Sequence, residues 1–164
     1  KRGEEGLIAL TELEAPVTKE EPVAVGVPIE IANEIAEAIL EAKRLYFIQF
    51  APRNALRTLK DVVDKFKDKG IRSLADACSL SAFLHNYLGE WDDAVSQASI
   101  GVKVDPMHAE SYMGRGYALK HKWLEKQDNA SLSSAKEDFN NALMLTRDIR
   151  KRGQIQRYLA QLPI

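Results

Sequence analysis

The stretch YLGEWDDAVSQASIGVKVDP, residues 87–106, decides the fold. Trp91, Ala94, Val95, Ala98, Gly101 and Val102 fall on one face of a helix over 91–104, Gly89 punctuates the turn before it, and Asp105-Pro106 ends it. Small residues on that face let a neighbouring helix approach closely, and the aromatic fills the space between successive layers. The segment therefore reads as the second half of a helical hairpin that stacks against further hairpins.

Working outward, Ser73 stands where an N-cap would open a helix reaching about Leu88, which completes that hairpin over 73–106. Residues 107–146 form another hairpin, from Met107 to about Glu125 and from Ser131 to Thr146, joined by the polar stretch 126–129. Upstream, Ile31, Ile35, Ala38, Ile39, Ala42, Leu45 and Tyr46 form one stripe behind Pro28. That helix ends apolar all round at Leu45, Tyr46, Phe47, Ile48 and Phe50, which predicts burial on more than one side. After Pro52, the residues Leu56, Leu59, Val62, Val63 and Phe66 keep one register up to Gly70, giving a hairpin over 29–70. A basic amphipathic helix over 148–162 caps the end. The expected fold is all-α, with about seven helices in antiparallel hairpins and no competing strand signal.

A period supports the stacking. Ala75 aligns with Ala109, 34 residues on, the spacing of a tetratricopeptide unit. Gly89, Trp91, Ala94 and Pro106 resemble that family's turn glycine, aromatic, small second-helix residue and closing proline. Gly116, Ala135, Phe139, Ala142 and Leu143 repeat the pattern, with Ala135 about seven residues late, which places an insertion at the turn 126–131. Cys78, Ser81, His85 and Arg147 depart from the motif, so both units are degenerate copies. The hairpin 29–70 carries no motif. The same periodicity also suits another α-hairpin array or a plain helical bundle. The resemblance implies a short tetratricopeptide-like α-solenoid over 29–164.

It also implies a groove lined by first-helix side chains, the surface such proteins turn to a peptide or helix. The expected rows are Asp76, Ser79, Leu80, Phe83, Asn86 and Tyr87, then Glu110, Met113, Gly114, Tyr117, Lys120 and His121. Members that bind chaperone tails hold a terminal carboxylate with a Lys and Asn clamp. Ser79 and Phe83 occupy those positions here, so apolar anchors with a polar rim are expected to hold the partner. The other possibility is that the protein's own first hairpin covers Phe83, Tyr87 and Tyr117.

Arg147, Arg150, Lys151, Arg152 and Arg157 form the marked cationic cluster, which suits phosphate or an acidic protein face, or else is the solvated side of a capping helix. Lys and Arg together number 23 against 24 Asp and Glu, so no general polyanion binding follows from net charge. His85, His108, His121 and the single Cys78 lack metal-ligand spacing, and no metal or cofactor is expected. Gly114-Arg115-Gly116 is not a dinucleotide fingerprint, and Ser133 with Lys136 fits the repeat register better than a nucleophile pair.

Residues 1–28, with Pro16, Pro22 and Pro28 and an acidic excess, read as an extended arm. The arm is either a free tail or a segment that orders on another protein through 7–13 and 23–27. No run of roughly 18 to 20 apolar residues and no signal-peptide pattern occurs, which predicts a soluble chain. The single Cys78 fits a reducing intracellular compartment, and the start at Lys1 fits removal of a targeting segment, so the expected site is cytoplasmic or organellar (chloroplast or mitochondrion). The expected role is a non-catalytic protein-interaction scaffold, adaptor or assembly subunit of a larger complex. The alternative is a nucleic-acid-associated repeat protein acting through its basic last helix.

Overall fold

A computed structural model describes residues 26–164, so the arm lies outside the described residues except for 26–28. Seven helices and no strand follow in these residues: α1 (Ile29–Phe47), α2 (Pro52–Phe66), α3 (Leu74–Tyr87), α4 (Trp91–Val104), α5 (Ala109–Lys126), α6 (Asn129–Leu145) and α7 (Ile149–Ala160). Short connections make α1/α2, α3/α4 and α5/α6 antiparallel pairs. Each pair stacks on the next, and α7 packs on α6. The first-position helices α1, α3 and α5 touch in succession and form the inner layer.

The helix boundaries have local causes. Pro52 opens α2 at its first position, where a missing N–H costs nothing. Gly89 adopts φ 72°, a conformation that would strain any L side chain, and turns the chain from α3 into α4. Asp105, preceding Pro106, is extended at φ −143° and stops α4. Asp128 caps α6, its carboxylate accepting from Ala130 N at 3.0 Å and from Ser131 Oγ at 2.6 Å.

The core has two centres. Ile35, Ala42, Leu59, Val63, Leu74 and Leu84 join α1 to α4, while Phe139, Ala142 and Ile155 join α5, α6 and α7. Full burial of a side chain such as Leu59 or Phe139 stabilises by about 1.5–3 kcal/mol. Between the centres the small residues act as expected: a Cβ on Gly101 would lie 3.2 Å from Cys78 Cβ and 3.1 Å from Ser111 Cβ, so α3, α4 and α5 meet at that point with no room for a methyl group. A partly buried ion pair ties α5 to α6 and reaches α4. Arg115 Nε and Nη2 donate to the Asp138 carboxylate at 2.8 and 2.9 Å, and Nη1 donates to Ser99 Oγ at 3.2 Å.

Three expectations are corrected. Ser73 sits at the N-cap position of α3 but its side chain makes no cap bond, because its backbone is already helical at φ −62°, ψ −17°. The extra residues near 126–131 do not form a loop: α5 runs 18 residues against 14 for α3, the turn is only Gln127 and Asp128, and Ala135 is reached later along α6. No Pro or Gly interrupts 117–145, so good helix formers extend both helices. The end of α1 is also not enclosed. Leu45 and Tyr46 pack on the core, but Phe47, Ile48 and Phe50 are 60%, 71% and 82% exposed, since this turn lies at the edge of the array. Phe50 holds φ 53°, an unusual conformation for an aromatic residue.

Candidate functional site

The inner layer carries an open groove of about 1040 Å³. Each contributing helix offers side chains three or four residues apart: Ala36, Ile39, Leu40 and Lys43 from α1; Asp76, Ser79, Leu80, Phe83, Asn86 and Tyr87 from α3; Glu110, Met113, Gly114 and Tyr117 from α5; Lys151, Gln154 and Tyr158 from α7. The middle is apolar and the charges lie toward the rim. Asn86 Nδ2 donates to the Gly114 carbonyl at 3.0 Å and joins α3 to α5 across the floor, leaving its Oδ1 buried without a partner.

Of the expected groove residues, the structure brings together Leu80, Phe83, Asn86, Tyr87, Met113 and Tyr117, with Asp76, Ser79, Glu110 and Gly114 among them. Lys120 and His121 are not in the lining. Lys120 is 8% exposed, donates to Gln161, and sits over the Tyr117 and Tyr158 rings at 5.8 and 5.0 Å. His121 stacks on Trp91 with centroids 4.3 Å apart. The repeat register aligns these two with Asn86 and Tyr87, but in the second unit the positions are covered by Trp91 and by the end of the chain. Burial lowers the Lys120 ammonium, and burial followed by the Lys120 charge lowers the His121 imidazole.

The first hairpin forms a wall of the groove and does not close it. Tyr46 meets Phe83 and Tyr87 edge-on at centroid distances of 5.8 and 5.5 Å, yet Phe83 remains 47% exposed and Tyr87 64%. Tyr117 is more enclosed, against Trp91, His121 and Tyr158. Sequence reasoning missed the α1 wall, although a signal exists. Besides the stripe through Ile35 and Ala42, α1 carries a second one through Ile29, Ala36, Leu40 and Phe47, all exposed.

The cationic cluster is divided. Lys151 lines the groove and pairs with Glu110, and Arg152 donates to the Leu143 and Thr146 carbonyls at 2.5 and 3.1 Å, closing the end of α6. Arg147, Arg150 and Arg157 are exposed and make no ion pair among the described residues. Burial would raise the Glu110 carboxyl, but the hydrogen bond from Lys151, with its charge and that of His108, holds it below the usual value. The Lys151 ammonium is raised, first by that bond.

Chemistry elsewhere is sparse. Burial pushes the Cys78 thiol up to about 12, which leaves it without thiolate character. His85, Glu90 and Asp93 bring ligand atoms within 4.8 Å of one another, a grouping the sequence spacing did not suggest. Arg53 already donates to both Glu90 oxygens at 2.7 and 2.9 Å, so a dication there would face a guanidinium.

Comparison with known proteins supplies the fold. No protein-family model matches the chain, and no curated protein matches it. Solved structures do. The second TPR domain of Spaghetti (RPAP3) bound to the HSP90 peptide SRMEEVD aligns at 17% identity with a TM-score of 0.56, over 72% of this chain and 99% of that one. The first TPR domain of the same protein, bound to the same peptide, aligns at 18% with a TM-score of 0.59, over 79% of this chain and 94% of that one. The first TPR domain of human RPAP3, solved by NMR, aligns at 20% with a TM-score of 0.57, over 78% and 94% of the respective chains. The fold is tetratricopeptide-like. The helical hairpins thus share the backbone arrangement of that repeat where the sequence motif is degenerate. No helix among the described residues is long and apolar enough to cross a membrane.

Proposed function

We propose that this tetratricopeptide-like chain is a non-catalytic protein-interaction module, an adaptor or assembly subunit that holds an apolar segment of another protein in the inner groove. The observation that carries this reading is the contiguous, solvent-open apolar lining: Leu40 is 70% exposed, Phe83 47% and Tyr87 64%, around an open groove of about 1040 Å³. Monomeric proteins seldom leave such a connected apolar surface uncovered unless something binds there. Two of the structural neighbours hold the HSP90 peptide SRMEEVD, which ends in an acidic residue. In this chain Ser79 and Phe83 stand at the clamp positions noted above, so apolar burial replaces carboxylate capture as the source of affinity.

The test is selection of random displayed peptides on the full chain, followed by titration of the selected peptides into Leu40→Asp and Phe83→Asp variants. Both side chains are solvent-exposed, so helicity should be retained. Selected peptides rich in aliphatic and aromatic anchors should lose at least about tenfold in affinity, or ~1.4 kcal/mol. SRMEEVD should not bind. Peptides indifferent to both substitutions would refute the groove as the docking surface.

Nucleic-acid binding through α7 has weaker support, since Lys151 and Arg152 are engaged internally. Steep loss of an RNA or DNA complex with salt, tracking Arg147, Arg150 and Arg157, would favour it instead.

A further inference from the structure

We propose that this chain forms a two-fold symmetric dimer in which the turn between α1 and α2 of each copy seats in the aromatic end of the other copy's groove. Such a dimer goes beyond the peptide-docking reading and does not require it. From Leu45 to Pro52 the sequence carries no charge, and Phe47, Ile48 and Phe50 are 60%, 71% and 82% exposed. An apolar cluster displayed in this way, with charges excluded from its centre, has the composition of an interface core. The backbone adds a second sign. At Phe50 the φ of 53° suits glycine or asparagine and costs an aromatic residue free energy, so the position supplies a ring rather than a backbone shape.

The receiving surface lies beside the turn. Phe47 meets Tyr46 edge-on at a centroid distance of 4.8 Å, and Tyr46 meets Phe83 and Tyr87 at 5.8 and 5.5 Å, so a continuous row of rings leads from the exposed turn into the groove. A two-fold interface requires both parts on one face, because each copy then offers turn and groove to the other and the contact closes at two. Placed on opposite faces, the same two parts would build an open chain of copies.

Area and charge favour a second copy as the occupant. At roughly 200 Å² for a large side chain, the exposed parts of Leu40, Phe47, Ile48, Phe50, Phe83 and Tyr87 come to about 800 Å². A stable dimer of standard size buries about 800 Å² from each partner. The formal net charge of −1 leaves little repulsion between copies. Lys43 and the Glu41–Arg44 ion pair, on the adjoining turn of α1, supply a polar rim.

Sedimentation velocity of the full chain tests this. Interfaces of this size bind with micromolar to picomolar affinity, so at about 50 µM the chain should sediment at twice 18.4 kDa. Ile48→Asp and Phe50→Gly at the turn, and Phe83→Asp in the groove, should each raise the dissociation constant at least about tenfold. All three side chains are exposed, and glycine holds φ 53° without strain, so circular dichroism should show native helicity in each variant. A native chain that sediments as a monomer at that concentration, a dimer indifferent to the turn variants, or a dimer broken at the turn but not by Phe83→Asp would each overturn the proposal. The dimer and the peptide-docking groove fail separately. A monomeric native chain whose selected peptides still lose affinity on Phe83→Asp would refute the dimer and keep the groove.

Discussion

Replacing Gly101 with alanine tests the close approach of three helices with one methyl group. A Cβ there would lie 2.2 Å from Ser111 Oγ, 3.1 Å from Ser111 Cβ and 3.2 Å from Cys78 Cβ. The hydroxyl can rotate away, but it then gives up its 2.9 Å contact with His108 Nδ1, a loss of about 0.5–1.5 kcal/mol. The two Cβ atoms cannot rotate, so α3 and α5 must shift, at an overpacking cost of about 1–3 kcal/mol. Against these stands the better helix propensity of alanine, about 1 kcal/mol. The net expectation is destabilisation by about 2 kcal/mol, or roughly 4–8 °C in Tm for a chain of this size. Gly153 in α7 is the control, because a Cβ there meets nothing within 4 Å. Gly153→Ala should stabilise by about 0.5–1 kcal/mol through propensity and reduced unfolded-state freedom. Urea unfolding followed by far-ultraviolet circular dichroism measures both. If Gly101→Ala matched or exceeded the native stability, the three-helix contact could not be as tight as described.

Arg115→Ala should cost more than Asp138→Ala, about 3–5 against about 1–3 kcal/mol, because the carboxylate left behind is 3% exposed whereas the guanidinium can reach water; a double-mutant cycle in urea checks the order. Gln127 closes α5 at φ 53°, so Gln127→Gly should stabilise by about 0.5–1 kcal/mol, and a loss in Tm would argue against that turn. The folded His121 imidazole is lowered from 6.5 by burial and by Lys120, so the unfolded chain takes up this proton first on acidification. That part of the stability is complete above about pH 7.5 and declines as pH falls through 6.5. Denaturant midpoints from pH 7.5 to 5.5 should fall less steeply in His121→Gln than in the native chain.

Legibility in the sequence followed the range of the interactions concerned. The stripe Leu56, Leu59, Val62, Val63 and Phe66 announces α2 because helical periodicity is local, and all five side chains are buried. Gly89 and Asp105-Pro106 announce the ends of α3 and α4 because turn geometry depends on one or two residues. Ser73 misled, since a cap needs a hydroxyl aimed at free N–H groups, and its backbone conformation precludes that. The row from Leu80 to Tyr117 was placed by repeat register alone. Lys120 and His121 failed the same register because Gln161 and Trp91, distant in sequence, cover them.

Residue spacing by itself determined that this chain forms stacked helical hairpins with small residues at the contacts, since both follow from period and side-chain size along neighbouring turns. Which faces stay open was decided by tertiary structure. Leu40 is as apolar as its buried neighbours Ile35 and Ala42 and is exposed in the fold, and Phe83, expected in the groove, stays open rather than covered by the first hairpin, because burial depends on which distant helix arrives to cover a face, and on the inner side of α1 and α3 none does.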